Sequence, residues 1–205
     1  VSDEVFADYG LDADDAPRGA LTSRDDVAGF TLGGLSKSIG LPQAKLGWIA
    51  VSGPAGAVAD VMPRLELVCD TYLSVSTPVQ VAATSLITNG AAVRASIHAR
   101  VRENLARCRA LVAGKPEVSM LEPEAGWTVV LRVPATESEE SRVLRLLQQS
   151  HVLVHPGYFF DFATEAYLVL SLLPAGLGYA LALFDRDGLA MHDRLVGTRV
   201  LRDPL

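Results

Sequence analysis

Apolar positions along the chain change period several times. Val27 to Leu32 and Leu46 to Val51 are short apolar runs broken by glycine, the form of strands in a sheet covered on both faces. From Pro54 onward Val58, Val61, Met62, Leu65 and Val68 fall at helical spacing, and Pro63 predicts a bend or a division into two shorter helices. Ser76 and Thr77 stand where a cap is wanted for a helix beginning at Pro78. Val93, Ile97, Val101, Leu105 and Val112 then recur near i, i+4 and i+7, predicting a long helix stopped by Gly114 and Pro116. Val118 to Leu121 and Trp127 to Val133 read as two strands joined by a turn. Thr136 to Glu139 has the spacing of a capping box for a helix through Leu144 and Leu147. His151 to Phe160 and Tyr167 to Leu173 supply the closing strands. At the front, Val1 to Tyr9 reads as the last residues of a buried strand running into a turn, and residues 10–27 as an acidic surface loop. These elements are compatible with an α/β fold.

Composition narrows the class. With 205 residues, 49% of them hydrophobic and 20% charged, the chain can bury a substantial core. A net charge of -6 leaves no basic footprint for nucleic acid, so the arginines at 94, 100, 102, 107 and 109 read as a solvated helix face. No apolar run has the length to span a bilayer. Cys69 and Cys108 lack CxxC spacing and read as reduced, buried thiols of a cytoplasmic protein. His98, His151, His155 and His192 are scattered, so no metal site is expected; Asp12, Asp14 and Asp15 lack the glycine and closing glutamate of a calcium loop.

The chemistry concentrates between Thr31 and Trp48. Lys37 and Lys45 stand eight residues apart in an otherwise uncharged segment punctuated by Gly33, Gly34, Gly40 and Gly47. An apolar setting and a second cation both disfavour the charged form of an amine, and an uncharged lysine forms Schiff bases. Ser36 and Lys45 add the hydroxyl and the cation that a phosphate needs. Taken singly, either lysine reads as a surface residue flanking a turn, and Asp3 as a helix cap ahead of Glu4 to Phe6. Together they suit an amine held beside a bound phosphate.

Ser36-Lys37, a cation at Lys45 and then Gly47-Trp48, with Asp3 and an aromatic at Phe6 upstream, resembles the cofactor-lysine motif of fold-type I, class I/II pyridoxal-phosphate aminotransferases. The resemblance covers roughly residues 1–173 and about the C-terminal half of a usual member. It implies that Lys37 is the Schiff-base lysine and catalytic residue, that Ser36 and Lys45 bind the phosphate, and that Asp3 pairs with the pyridine nitrogen and keeps it protonated. It implies an α/β fold, pyridoxal 5'-phosphate as cofactor, an amino donor and a 2-oxo acid as substrates, and a homodimer. Residues 1–88 would be the C-terminal part of a large cofactor-binding domain with a mostly parallel sheet, 89–173 a small α+β domain, and 174–205 a loosely packed tail. The motif departs from the family at Gly34 and Phe6, where serine and tyrosine are usual, and at Val169, where many members carry a carboxylate-binding arginine. Gly126 and Trp127 are candidate pocket residues, with a core tryptophan as the alternative. Two other readings remain beside the aminotransferase: a lyase using the same cofactor, and a binding domain that keeps the fold without turnover.

Overall fold

A computed structural model of the chain describes residues 1–11, 21–72 and 74–173; the acidic aspartates of the first loop and the expected tail 174–205 lie outside the described residues. Two compact units emerge, one of Val1–His98 with Glu124–Gly126, the other of Ala99–Pro123 with the chain from Trp127 onward. Both mix sheet and helix, as the α/β reading expects.

The first unit holds a three-stranded sheet in the order β1 (Ser2–Asp3), β2 (Gly29–Gly34), β3 (Gly47–Ser52). Strand β1 runs parallel to β2, and β2 antiparallel to β3, so a sheet expected to be mostly parallel contributes one pair of each kind here. Neither outer strand is deeply buried, contrary to the expectation for both. Gly47, Trp48 and Ile49 are exposed, because β3 has no further strand beside it among the described residues. Between β2 and β3 lies the short helix α1 (Leu35–Ser38), followed by a 3-10 turn at Pro42–Ala44. Tyr9, Leu11, Leu35 and Ile39 form the buried apolar centre of this unit.

Helix α2 (Ala55–Asp70) runs unbroken through Pro63, correcting the predicted division. Proline removes the donor that the Ala59 carbonyl would have used, but Ala59 and Pro63 are both exposed, and water can satisfy that oxygen. Cys69 is exposed near the end of this helix, not buried as expected, while Cys108 is buried and its thiol is pushed up by that burial. Helix α3 (Thr77–Asn89) begins after Ser76, whose side chain makes no capping bond; its backbone carbonyl accepts from Val79 and Gln80 instead. Helix α4 (Ala91–Ala113) ends just before Gly114, as the stop signals predict. None of the described helices is long and apolar enough to cross a membrane.

The second unit is built on an antiparallel sheet in the order β4 (Ser119–Leu121), β5 (Thr128–Arg132), β7 (Tyr167–Ser171), β6 (His155–Pro156). Val129 and Leu131 of β5 and Leu168, Val169 and Leu170 of β7 are buried, with Val101, Leu105 and Cys108 from α4. Asn104, also buried, donates from Nδ2 to the Leu172 carbonyl at 2.8 Å, which satisfies the end of β7.

Helix α5 (Glu139–Ser150) starts two residues later than the Thr136 capping box requires. Ser138 is the cap: its Oγ accepts the Ser141 N–H at 3.2 Å. Glu139 does not reach back to the cap because its carboxylate is engaged elsewhere. At 2% exposure it accepts the backbone N–H groups of Tyr158 at 3.0 Å and Tyr167 at 2.7 Å, tying the 3-10 turn Gly157–Phe160 to the start of β7. A Cβ at Gly157 would stand 3.0 Å from that carboxylate, so bare backbone is needed beside it. Replacing Glu139 with alanine leaves two part-buried backbone donors without their charged acceptor and should cost about 3 kcal/mol, whereas Glu140→Ala, on an exposed position, should change little. Urea unfolding of both variants checks this, and equal midpoints would remove the buried carboxylate from the account of this unit's stability.

Candidate functional site

Strand pairing decides where the chemistry-bearing residues go. The β2–β3 register ends with Gly34 opposite Gly47, and the Leu35 N–H donates to the Leu46 carbonyl at 3.0 Å, so residues 35–46 form a closed connection at one end of the sheet. Ser36, Lys37 and Lys45 all ride on it. Asp3 ends β1 opposite Leu32 of the parallel neighbour, three residues before that connection begins, which puts it at the same end. The carboxyl ends of parallel strands are where open α/β sheets place their ligands.

Each candidate has a local reason for its position. Asp3 is exposed, and its Oδ1 accepts the Val5 N–H at 3.1 Å, turning the chain after β1 rather than capping a helix. That turn brings Phe6 to Lys37, whose Nζ lies 5.7 Å from the ring centroid, within range of a cation–π attraction. Ser36 and Lys37 are half-buried. Lys45 is exposed and closes the 3-10 turn with its N–H on the Pro42 carbonyl at 3.2 Å. Its φ of 51° is left-handed, a conformation that costs a lysine roughly 1 kcal/mol and glycine nothing.

Of the remaining sequence candidates, Gly126 has φ 99° and donates its N–H to the Tyr9 carbonyl at 3.0 Å, a backbone role that requires glycine. Trp127 belongs to the second unit and accepts the Leu172 N–H on its carbonyl at 2.6 Å. Val169 is buried in the middle of β7, paired with Val130 and His155, and brings no cation to that strand. Ser76 and Thr77 are exposed at the start of α3.

Sequence reading missed a set of groups directly beside Lys37. Tyr9 is fully buried and donates its hydroxyl to the Ser38 carbonyl at 2.9 Å; its ring meets that of His98 edge-on at 6.0 Å. Ser38 Oγ donates to Asp8 Oδ2 at 3.0 Å, and Arg94 Nη1 donates to Asp8 Oδ1 at 3.0 Å. His98 Nε2 lies 2.7 Å from the Gly10 carbonyl. Burial first, then the neighbouring Asp8 charge, push the Tyr9 phenol up to about 12, against a smaller opposing pull from Arg94. Only the adjacency of Asp8 and Tyr9 just beyond Phe6 hints at this set in the sequence, because its partners are separated by long stretches of chain.

Comparison with known proteins bears on this arrangement. The family model described as aminotransferase class I and II matches residues 1–176. No curated protein matches the chain. Among solved structures, an aminotransferase from Escherichia coli is similar at 21% identity and a TM-score of 0.69, over 91% of this chain and 48% of that one. An alanine aminotransferase from Pyrococcus furiosus is similar at 19% identity and a TM-score of 0.75, over 91% and 48%. A tyrosine aminotransferase from Leishmania infantum follows at 20% identity and 0.66, over 85% and 44%. At these identities the likeness is one of fold, and the chain spans about half the length of the structures it matches.

The raised Tyr9 value carries a sign. Its folded value of about 12 exceeds the ordinary 10.0, so the native state holds a proton that the unfolded chain releases; the resulting stability is complete below pH 10 and is lost as pH climbs toward 12. The loss should be on the order of 2 kcal/mol. Tyr9 should ionise late in a tyrosinate absorbance titration, and Tyr9→Phe should remove that late step. A wild-type titration with no late step would contradict the burial argument.

Proposed function

Because this chain belongs to the class I and II aminotransferase family, we propose that it carries the lysine-bearing part of a pyridoxal-phosphate-dependent transaminase, with an amino donor and a 2-oxo acid as substrates and a homodimer as the working form. What carries the reading is the closed β2–β3 connection, which presents an amine over an aromatic ring together with a hydroxyl and a second cation. The chemistry of this donor set fits the cofactor. An amine answers an aldehyde, Ser36 and Lys45 answer a phosphate, and Asp3 answers a protonated ring nitrogen.

Pyridoxal phosphate, when bound, supplies an aldehyde and an electron-poor ring that stabilises the charge left when a substrate Cα loses its proton. The chain's own groups do the rest. Lys37 is the amine that would hold the cofactor through its aldehyde and, once an incoming amine displaced it, would be free to take and return the substrate's Cα proton. Ser36 Oγ donates to the phosphate and Lys45 Nζ neutralises it. The Asp3 carboxylate would accept from the ring nitrogen and favour its protonated form. Phe6 brings ring surface and no hydroxyl, so it packs without donating. The left-handed backbone at Lys45 supports this assignment: a position where glycine would be less strained holds a cation instead.

Treating the purified chain with pyridoxal phosphate, reducing with borohydride and digesting for mass spectrometry tests the reading. The cofactor mass should be fixed on the Lys37 peptide and be lost in Lys37→Ala; attachment spread evenly over Lys45 and Lys115, or none at all, would refute it. Lys45→Met should weaken retention of pyridoxal phosphate about tenfold while leaving that of pyridoxal, which lacks the phosphate, unchanged. Equal losses for both compounds would take Lys45 out of the phosphate site.

A further inference from the structure

Helix α1 poses a local problem. It is only four residues long, below the length at which a helix has stability of its own, and neither end has a side-chain cap. The Ser38 carbonyl is in a worse position than the others. The residue four ahead of it, which would donate in a continuing helix, is Pro42, and proline has no N–H. Ser38 itself is buried, so both its carbonyl and its hydroxyl need partners from the protein.

Both partners come from one dipeptide. Tyr9 gives its hydroxyl proton to the Ser38 carbonyl, and Asp8 accepts the Ser38 hydroxyl proton. Asp8 is in turn held by Arg94 of α4, and Tyr9 is bordered by His98 one turn further along the same helix. Asp8 and Tyr9 follow directly on the turn that bears Asp3 and Phe6. The turn opposite the amine and the turn bearing it are therefore tied together at the residue next to Lys37.

We propose that Tyr9, Ser38, Asp8 and Arg94 are positioning residues for Lys37: they replace the donor that Pro42 lacks and hold the short helix so that the amine stays over Phe6. This rests on the reading of Lys37 as the cofactor amine. Tyr9 and Asp8 act through Ser38, and none of the four needs to touch the cofactor.

Two readouts on the full chain separate this inference from that reading. Trace acetic anhydride, without cofactor, labels each lysine according to its freedom, and mass spectrometry compares Lys37 with Lys115 in the same molecule. Tyr9→Phe and Ser38→Ala should each raise Lys37 labelling about fivefold, the equivalent of one lost hydrogen bond, with Lys115 unmoved. Arg94→Gln should do the same and Arg94→Lys, which keeps a cation for Asp8, should restore the wild-type value. The second readout is borohydride-fixed pyridoxal phosphate at Lys37, which should fall by a similar factor in the first three variants. Unchanged Lys37 labelling in both Tyr9→Phe and Ser38→Ala would overturn the proposal, and so would equal rises at Lys115, which signal general loosening. If Tyr9→Phe does not fold, Ser38→Ala decides alone, since it removes a single oxygen. A wild-type chain that fixes no cofactor while its Lys37 labelling responds as described would defeat the cofactor reading and leave the positioning role standing.

Discussion

The last rung of the β2–β3 pairing, Gly34 opposite Gly47, closes the connection on which three of the four candidate cofactor groups ride. The two strands meet there through bare backbone. A Cβ on Gly34 would stand 3.1 Å from the Leu46 carbonyl, and one on Gly47 would stand 3.2 Å from that of Gly33. One rung earlier, a Cβ on Gly33 would overlap the Trp48 indole. The glycines thus act on strand approach first and on any ligand second. Without that approach Leu35 could not reach Leu46, and the segment between them would be a wide loop whose closure nothing local determines.

A closed connection does not by itself orient a side chain. Within it the backbone leaves α1 as a single turn followed by a proline, so orientation has to be supplied from outside, and Tyr9 and Asp8 supply it at Ser38. The second unit solves a similar problem by the same means. There a buried carboxylate, Glu139, takes two backbone donors that no ladder partner satisfies, and the aromatic turn Gly157–Phe160 is held as a result. In each unit a polar side chain, fully withdrawn from water, completes backbone that the regular elements leave unpaired.

These completions explain which parts of the molecule were legible in the sequence. The long helix ending before Gly114 and the closing strand from Tyr167 were readable because burial imposes a pattern and glycine or proline marks the ends. The strand runs at 27–32 and 46–51 were readable because short apolar runs bounded by glycine favour extended backbone even where, as in β3, no residue is buried. The motif around Lys37 was readable because two cations and several glycines in an uncharged segment are an unusual combination. Pro63 misled because its cost depends on whether the orphaned carbonyl meets water, which spacing does not reveal. The Thr136 capping box misled because Glu139 had a stronger use nineteen and twenty-eight residues away. Tyr9 was not legible as a partner of this segment, because its hydroxyl reaches the residue next to the lysine only through a contact across twenty-nine residues.

On the proposed reading, Lys45 fixes how the phosphate is held. Arginine at this position would present a rigid, planar fork and hold two phosphate oxygens by geometry. Lysine offers a compact charge on a flexible stem, so direction is lost even where attraction is kept. The chain offsets this at the backbone: the left-handed conformation and the Pro42 hydrogen bond place the Lys45 Cα firmly, while Gly47 and the closed rung beyond it leave little room for drift. The stem is anchored and the head is free. Because Lys45 is exposed, its attraction for an anion is one that added salt screens, whereas the contacts of Ser36, half-buried on α1, are not screened to the same degree. Grip on the phosphate then depends on charge at one end of the connection and on a directed hydroxyl at the other, and only the second is held in register with Lys37 by the same helix.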